Sequence, residues 1–166
     1  MTLQNRKLKT ILSTATPQGQ LETLQPGERV QPAKLQTLDG STAELRCDDL
    51  HKKYLLFVLS TTCPHCEKNL AIWRSIAEKS REDNLTIIGV SIHNLDQTTK
   101  YVTEKKPNFY IVVADTGFAR RYKIVGVPET ILIDGKATVE RIWLGELTAA
   151  DTIEMRRLTA AGKLIN

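Results

Sequence analysis

The sequence predicts a single α/β domain, a mixed central sheet with helices packed on its faces. Three observations lead there. Continuous apolar runs of strand length recur at Tyr54–Ser60, Leu85–Ile92 and Phe109–Ala114, the pattern of strands buried on both faces. Between them, apolar residues recur at three- and four-residue spacing, the period of an amphipathic helix. Two further strand-like segments then fold back around Asp134-Gly135, a dipeptide that suits a hairpin turn. Strands alternating with helices, closed by a hairpin and a last helix, make a layered α/β sandwich.

Residues 1–27 are rich in Gln and Thr and carry no apolar period. They are expected to be poorly ordered, ahead of a domain over 28–166. Val30–Leu45 predicts a short extended segment, a turn at Asp39-Gly40 and a second strand from Thr42 to Leu45. After the Tyr54–Ser60 strand, Cys63 to about Arg81 predicts a helix. Leu70, Trp73, Ile76 and Ala77 share one face, and Lys79 and Arg81 suit its C-terminal end. Asp96–Lys106 is a second helix, terminated by Pro107. Gly117–Lys123 predicts a short helical segment ahead of Gly126-Val127-Pro128. Glu129–Ile133 and Thr138–Leu144 form the hairpin, and Thr148 caps a last helix with Asp151 three residues on and Gly162 at its end.

With 166 residues, of which 41% are hydrophobic, the chain is long enough to bury about 70% of its unfolded surface. Its 23 basic against 19 acidic residues give only +4, dispersed along the chain, which argues against nucleic acid as a partner. The apolar runs fall far short of the ~18 residues of a spanning helix. Arg6, Lys7 and Lys9 are followed only by Ile11-Leu12, where an export signal needs roughly 7–15 apolar residues. The expectation is therefore either a cytoplasmic protein or one whose signal or anchor has been removed.

Chemistry concentrates at Cys63-Pro64-His65-Cys66, where a buried strand gives way to a helix. A thiolate is the nucleophile in disulfide exchange, and a helix N-terminus stabilises it with unpaired N–H groups and positive potential. Cys63 is thus the expected nucleophile, and Cys66, one turn on and deeper, the resolving thiol. Pro64 at the first helical position loses no hydrogen bond. His65 adds a donor or a positive charge beside the thiolate, so Pro64 and His65 are expected to tune the pair.

On these residues the chain resembles the thioredoxin-like superfamily, and within it the TlpA/ResA-type (redoxin, AhpC/TSA-like) thiol–disulfide oxidoreductases. The resemblance covers about Pro32 to Gly162. It rests on Leu35-Gln-Thr-Leu-Asp-Gly40, the strand–C-P-H-C–helix unit, the extra strand and helix between about Leu85 and Lys106, and Gly126-Val-Pro-Glu-Thr-Ile-Leu-Ile-Asp134. It implies a thioredoxin-like fold with an N-terminal strand extension and a central strand–helix insertion, working as a protein disulfide oxidoreductase without metal or cofactor. It implies that Pro128 is cis and packs beside the cysteines, and that Val127 offers backbone groups to an extended substrate. Partners would be protein thiols and disulfides together with a membrane or soluble redox partner. The implied location is the periplasm or cell envelope, with a cytoplasmic one as the alternative.

Departures from the family pattern leave the direction of electron flow open. Thr62 stands where many members have Trp, Asn69 where they often have Glu, and Ala71 where they often have Pro. The buried acid of thioredoxins proper falls on Phe57, which leaves Glu67 as a substitute proton acceptor. The C-P-H-C pair and the Val before the proline look instead like the oxidase DsbA, about −120 mV against about −270 mV for thioredoxin.

Other chemistries fit parts of the motif less well. A peroxiredoxin-like peroxidase needs P-x-x-x-T/S-x-x-C; Ser60 fits, but Leu56 stands in place of the proline. A metal-binding module of the same fold would need C-x-x-x-C-P, one residue longer than the spacing here. Cys47 and His51 with Cys63 and Cys66 have the ligand types of a zinc site, but a whole apolar strand separates the halves. Haem attachment fails because Glu67, not His, follows Cys66. Cys47 is expected to be an incidental buried or edge thiol, His51 a solvated loop residue, and His93 a satisfied one. Trp73 and Trp143 are expected in the core. Arg120, Arg121 and Lys123 are expected on a solvated face near the Pro128 loop, and Glu129 near the active site.

Overall fold

The longest apolar run of the sequence forms the middle of a sheet. In the computed structural model, which describes residues 22–80 and 84–160, this run is β3 (Lys53–Leu59). It pairs in parallel with β4 (Leu85–Ser91) on one side and antiparallel with β6 (Glu129–Ile133) on the other. Outward from β4 come β5 (Tyr110–Ala114), β1 (Ala33–Gln36) and β2 (Thr42–Leu45); outward from β6 comes β7 (Val139–Leu144). The order β2-β1-β5-β4-β3-β6-β7 is mixed, since β3, β4 and β5 run parallel and their outer neighbours antiparallel. Helices α1 (Pro64–Lys79), α2 (Leu95–Lys105), α3 (Phe118–Arg121) and α4 (Ala149–Ala160) supply the connections and the end. The sheet thus has the N-terminal strand pair and the central strand–helix insertion expected from the sequence. The expected helix ends at Arg81 and Gly162, and most of the segment 1–27, lie outside the described residues.

Two apolar layers follow from the strand period of two. Leu56 and Val58 of β3 face one layer, with Ile131 and Ile133 of β6 and the stacked rings of Phe118 and Tyr122. Leu55, Phe57 and Leu59 face the other, with Trp73 and Ile76 of α1, Tyr101 of α2 and Met155 of α4. Trp73 is wholly buried, lies 4.9 Å from Phe57 in a stacked geometry, and donates its Nε1–H to Thr130 Oγ1 at 3.1 Å. Trp143 is also in the core and donates to Glu154 Oε2. Leu24 packs into the first layer, and the Gly27 N–H bonds to Val139 O at 2.8 Å, so the packed chain reaches back ahead of residue 28.

Thr148 and Asp151 cap α4 reciprocally. The Thr148 N–H donates to Asp151 Oδ2 at 2.8 Å, and the Asp151 N–H to Thr148 Oγ1 at 3.2 Å. The β6–β7 turn differs from the two-residue Asp-Gly form. Ala137 N–H donates to Asp134 O and Asp134 N–H to Thr138 O, and the left-handed residue is Ala137 at φ 60. That is a turn followed by a bulge-type residue. Gly135 serves another purpose: a Cβ there would lie 2.1 Å from Asp49 O and 2.7 Å from Leu50 Cα. Close approach of the 49–50 backbone, not a left-handed turn, requires the glycine.

Candidate active site

Cys63 sits at the N-cap of α1 with extended backbone angles (φ −87, ψ 115). A turn bond from its own N–H to Ser60 O at 3.3 Å joins it to the end of β3. Its Sγ accepts the Cys66 N–H at 3.2 Å, occupying one of the donors a helix start leaves unpaired. Pro64 begins the helix, where a missing N–H leaves no acceptor unpaired. The Cys63 thiol also donates to Val127 O at 3.6 Å, and the Val127–Pro128 bond is cis. Cys63, Pro64, Cys66, Val127 and Pro128, from two distant stretches of sequence, therefore meet at one place.

The two cysteines differ in environment. Both are thiols; Cys63 is half-buried, and Cys66 is fully buried beneath it. Burial, reinforced by the neighbouring Cys63, pushes the Cys66 thiol up to about 12. Cys66 is thus held as a thiol, whereas Cys63 receives a helix N–H at its sulfur. Tyr101 lies in the same layer with a buried hydroxyl that has no hydrogen-bond partner among the described residues. Burial first, and then the charges of Glu67 and Cys66, push it up to about 12.

Around the pair, polar contacts hold the loops. His93 is satisfied as expected, its Nδ1 meeting Thr61 Oγ1 at 2.6 Å and its Nε2 Ser60 Oγ at 3.2 Å, which braces the turn before Cys63. His65 Nδ1 contacts Glu146 Oε1, and Lys68 Nζ lies 2.8 Å from the same oxygen. Asn69 is buried, donating to Gly145 O at 3.0 Å and accepting the Leu147 N–H at 2.8 Å. Glu67 pairs with Lys105 Nζ at 2.8 Å, linking α1 to α2. Arg121 pairs with Asp115 and Lys123 with Glu28.

Glu129 departs from its expected place. Its strand neighbour Thr130 faces Trp73, and Glu129 itself is paired with Val58 of the opposite layer. Alternation along β6 turns the carboxyl away from the layer that holds Cys66. It is fully buried, neither oxygen completes a hydrogen bond among the described residues, and burial pushes it up to about 7. The Thr23 hydroxyl and the Val125 backbone moderate the shift from nearby without closing a bond in geometry.

Cys47 is buried in the same layer as Val58, with its thiol pushed up to about 12, while Cys66 lies in the other layer. The sheet separates them, so a zinc site joining Cys47 and His51 to the C-P-H-C pair does not form. Among the described residues no three His, Cys, Asp or Glu side chains gather as a metal ion would require. Leu56, where a peroxidase pattern needs proline, is buried mid-strand and paired on both sides, a position from which proline is excluded. The contacts that sequence reasoning missed are Glu146 and Asn69. Asn69 showed in the sequence only as a departure from a family pattern, and Glu146 is too distant from the cysteines for any spacing to link it.

Comparison with known proteins adds to this geometry. Residues 26–142 match the model of the AhpC/TSA family. The chain belongs to the AhpC/TSA family. Among curated relatives of this family member, the sporulation thiol-disulfide oxidoreductase A of Bacillus subtilis is 25% identical over 132 residues, covering 74% of this chain and 79% of the relative. The thioredoxin-like protein YneN of the same organism is 25% identical over 129 residues, covering 75% of each. The thioredoxin domain of a thiol-disulfide oxidoreductase from Bacteroides vulgatus superposes with a TM-score of 0.69 at 22% identity, covering 82% of this chain and 98% of that one. The fold is thioredoxin-like.

Proposed function

We propose that the protein is an enzyme that exchanges dithiol and disulfide with protein partners, with Cys63 as nucleophile and Cys66 as resolving thiol. One observation carries the reading: the Cys63 sulfur lies between the Cys66 N–H at the start of α1 and the Val127 carbonyl of the cis-proline loop. Toward a disulfide substrate, the Cys63 thiolate attacks one sulfur, the substrate S–S bond breaks, and the other sulfur leaves with the bonding pair and takes up a proton. Cys66 then gives up its proton and attacks the Cys63 sulfur. The mixed disulfide breaks, Cys63–Cys66 forms, and the second substrate sulfur leaves as a thiol after protonation. Two electrons and two protons have passed to the substrate. The reverse sequence oxidises a dithiol, and a redox partner restores the starting state in either direction.

Pro64 and His65 tune the pair, and the Val127 and Pro128 backbone borders the groove for an extended substrate strand. The same family resemblance supports a location in the cell envelope; no helix among the described residues is long and apolar enough to cross a membrane. The test is to equilibrate the protein in glutathione buffers of graded ratio and alkylate its free thiols. The expected result is a reversible two-electron couple confined to Cys63 and Cys66. Absence of such a couple would overturn the reading, as would peroxide consumption at catalytic rates without a thiol partner.

A further inference from the structure

Resting on that reading, we propose that Glu146 is a positioning residue that sets the redox balance of the Cys63–Cys66 pair through His65. The two side chains are 81 positions apart in sequence, yet Glu146 Oε1 meets His65 Nδ1 in the dipeptide between the cysteines. Surface ion pairs usually contribute little, because long side chains must be immobilised in water. Here the backbone on both sides of Glu146 is already fixed. The Gly145 N–H donates to Pro128 O at 2.8 Å. Asn69 of α1, which is 1% exposed, donates to Gly145 O and accepts the Leu147 N–H. A single buried amide thus grips the residues before and after Glu146, and the same segment is tied to the cis-proline loop. The carboxylate is held against the active-site turn by bonds that do not depend on the ion pair.

The contact also assigns a tautomer. Lys68, first, and His65, second, hold the Glu146 carboxyl below its usual range, so it is ionised at neutral pH. An ionised carboxylate only accepts, so His65 Nδ1 carries the hydrogen. The carboxylate fixes the imidazole in one tautomer and one orientation at the turn, two positions from Cys63, and an imidazole polarised by that bond presents positive potential that favours the thiolate over the disulfide. Lys68 shares the same oxygen and offsets the negative charge that Glu146 would otherwise add to the site. Removing Glu146 therefore frees the imidazole to reorient, lessens the positive potential at the thiolate and shifts the pair toward its disulfide.

The experiment follows the equilibrium in which the protein disulfide and two glutathiones give the protein dithiol and one glutathione disulfide. It compares the wild-type protein with E146Q, H65Q and the double variant at pH 7. E146Q is expected to lower the equilibrium constant for forming the dithiol by about three- to tenfold. H65Q is expected to lower it at least as far, and the double variant no further than H65Q alone. Glu146 and His65 are on the surface, and matched thermal unfolding of the oxidised proteins separates a redox effect from a folding one. An unchanged constant in E146Q would overturn the inference, as would effects of E146Q and H65Q that simply multiply. Either result would leave the proposed exchange intact; a wild-type protein without a couple would remove that proposal, and this inference with it.

Discussion

Replacing Glu129 by glutamine should abolish a loss of stability that the wild-type protein suffers as pH rises. The carboxyl titrates at about 7 in the folded protein against an ordinary value of 4.5, with burial as the leading cause. A carboxyl raised on folding favours the protonated native state. Its contribution is therefore fully present below pH 4.5, falls as the unfolded chain ionises first, and is gone once pH passes about 7. The interval of about 2.5 units corresponds to roughly 3 kcal/mol, at about 1.4 kcal/mol per unit. The Glu129→Gln amide keeps the shape but finds no better partners, which costs about 1–3 kcal/mol at every pH. That offset does not alter the slope. Urea unfolding of both proteins at half-unit steps from pH 4 to 8.5 isolates the effect, because other titrating groups cancel in the difference. The wild-type protein should lose roughly 3 kcal/mol relative to the variant between pH 4.5 and 7.5. A difference independent of pH would refute the reasoning and mean that the carboxyl is solvated or paired.

The β6–β7 turn gives a pair of opposite expectations. Gly135→Ala places a Cβ against the Asp49 backbone and should destabilise by about 1–3 kcal/mol, whereas Ala137→Gly relieves a left-handed alanine and should stabilise by about 1 kcal/mol. Denaturant midpoints read both, and equal signs would contradict the assignment of close approach to one residue and backbone conformation to the other. Trp73→Ala should cost about 3–5 kcal/mol, since it empties the space stacked on Phe57 and leaves Thr130 Oγ1 without its donor; a loss under 1 kcal/mol would mean that the α1 face is not the main contact of that layer.

Strands and helices were legible where burial dictates the pattern. The run Tyr54–Ser60 could only be a central strand, and the spacing of Leu70, Trp73 and Ile76 fixed the buried face of α1. The candidate site cysteines, Cys63 and Cys66, were legible because their placement at a strand–helix junction is itself the chemical argument. The hairpin around Asp134-Gly135 was legible too, but glycine has two uses, and only the structure shows that the backbone of residues 49–50 presses on Gly135. Glu129 was misplaced because adjacency to Pro128 says nothing about which face of β6 a side chain takes. Glu146 and Asn69 were invisible for a related reason. Their effect comes from a loop folding back onto α1, a long-range contact with no local period.

The most direct test of the exchange mechanism is to trap its intermediate. Cys63→Ser and Cys66→Ser variants would each be incubated with a protein carrying an accessible disulfide, quenched with an alkylating agent and mapped by peptide mass. The mechanism predicts a stable mixed disulfide through Cys63 in the Cys66→Ser variant and none through Cys66 in the Cys63→Ser variant, because the half-buried sulfur attacks and the buried one resolves. Equal trapping by both variants, or trapping through Cys66 alone, would contradict it.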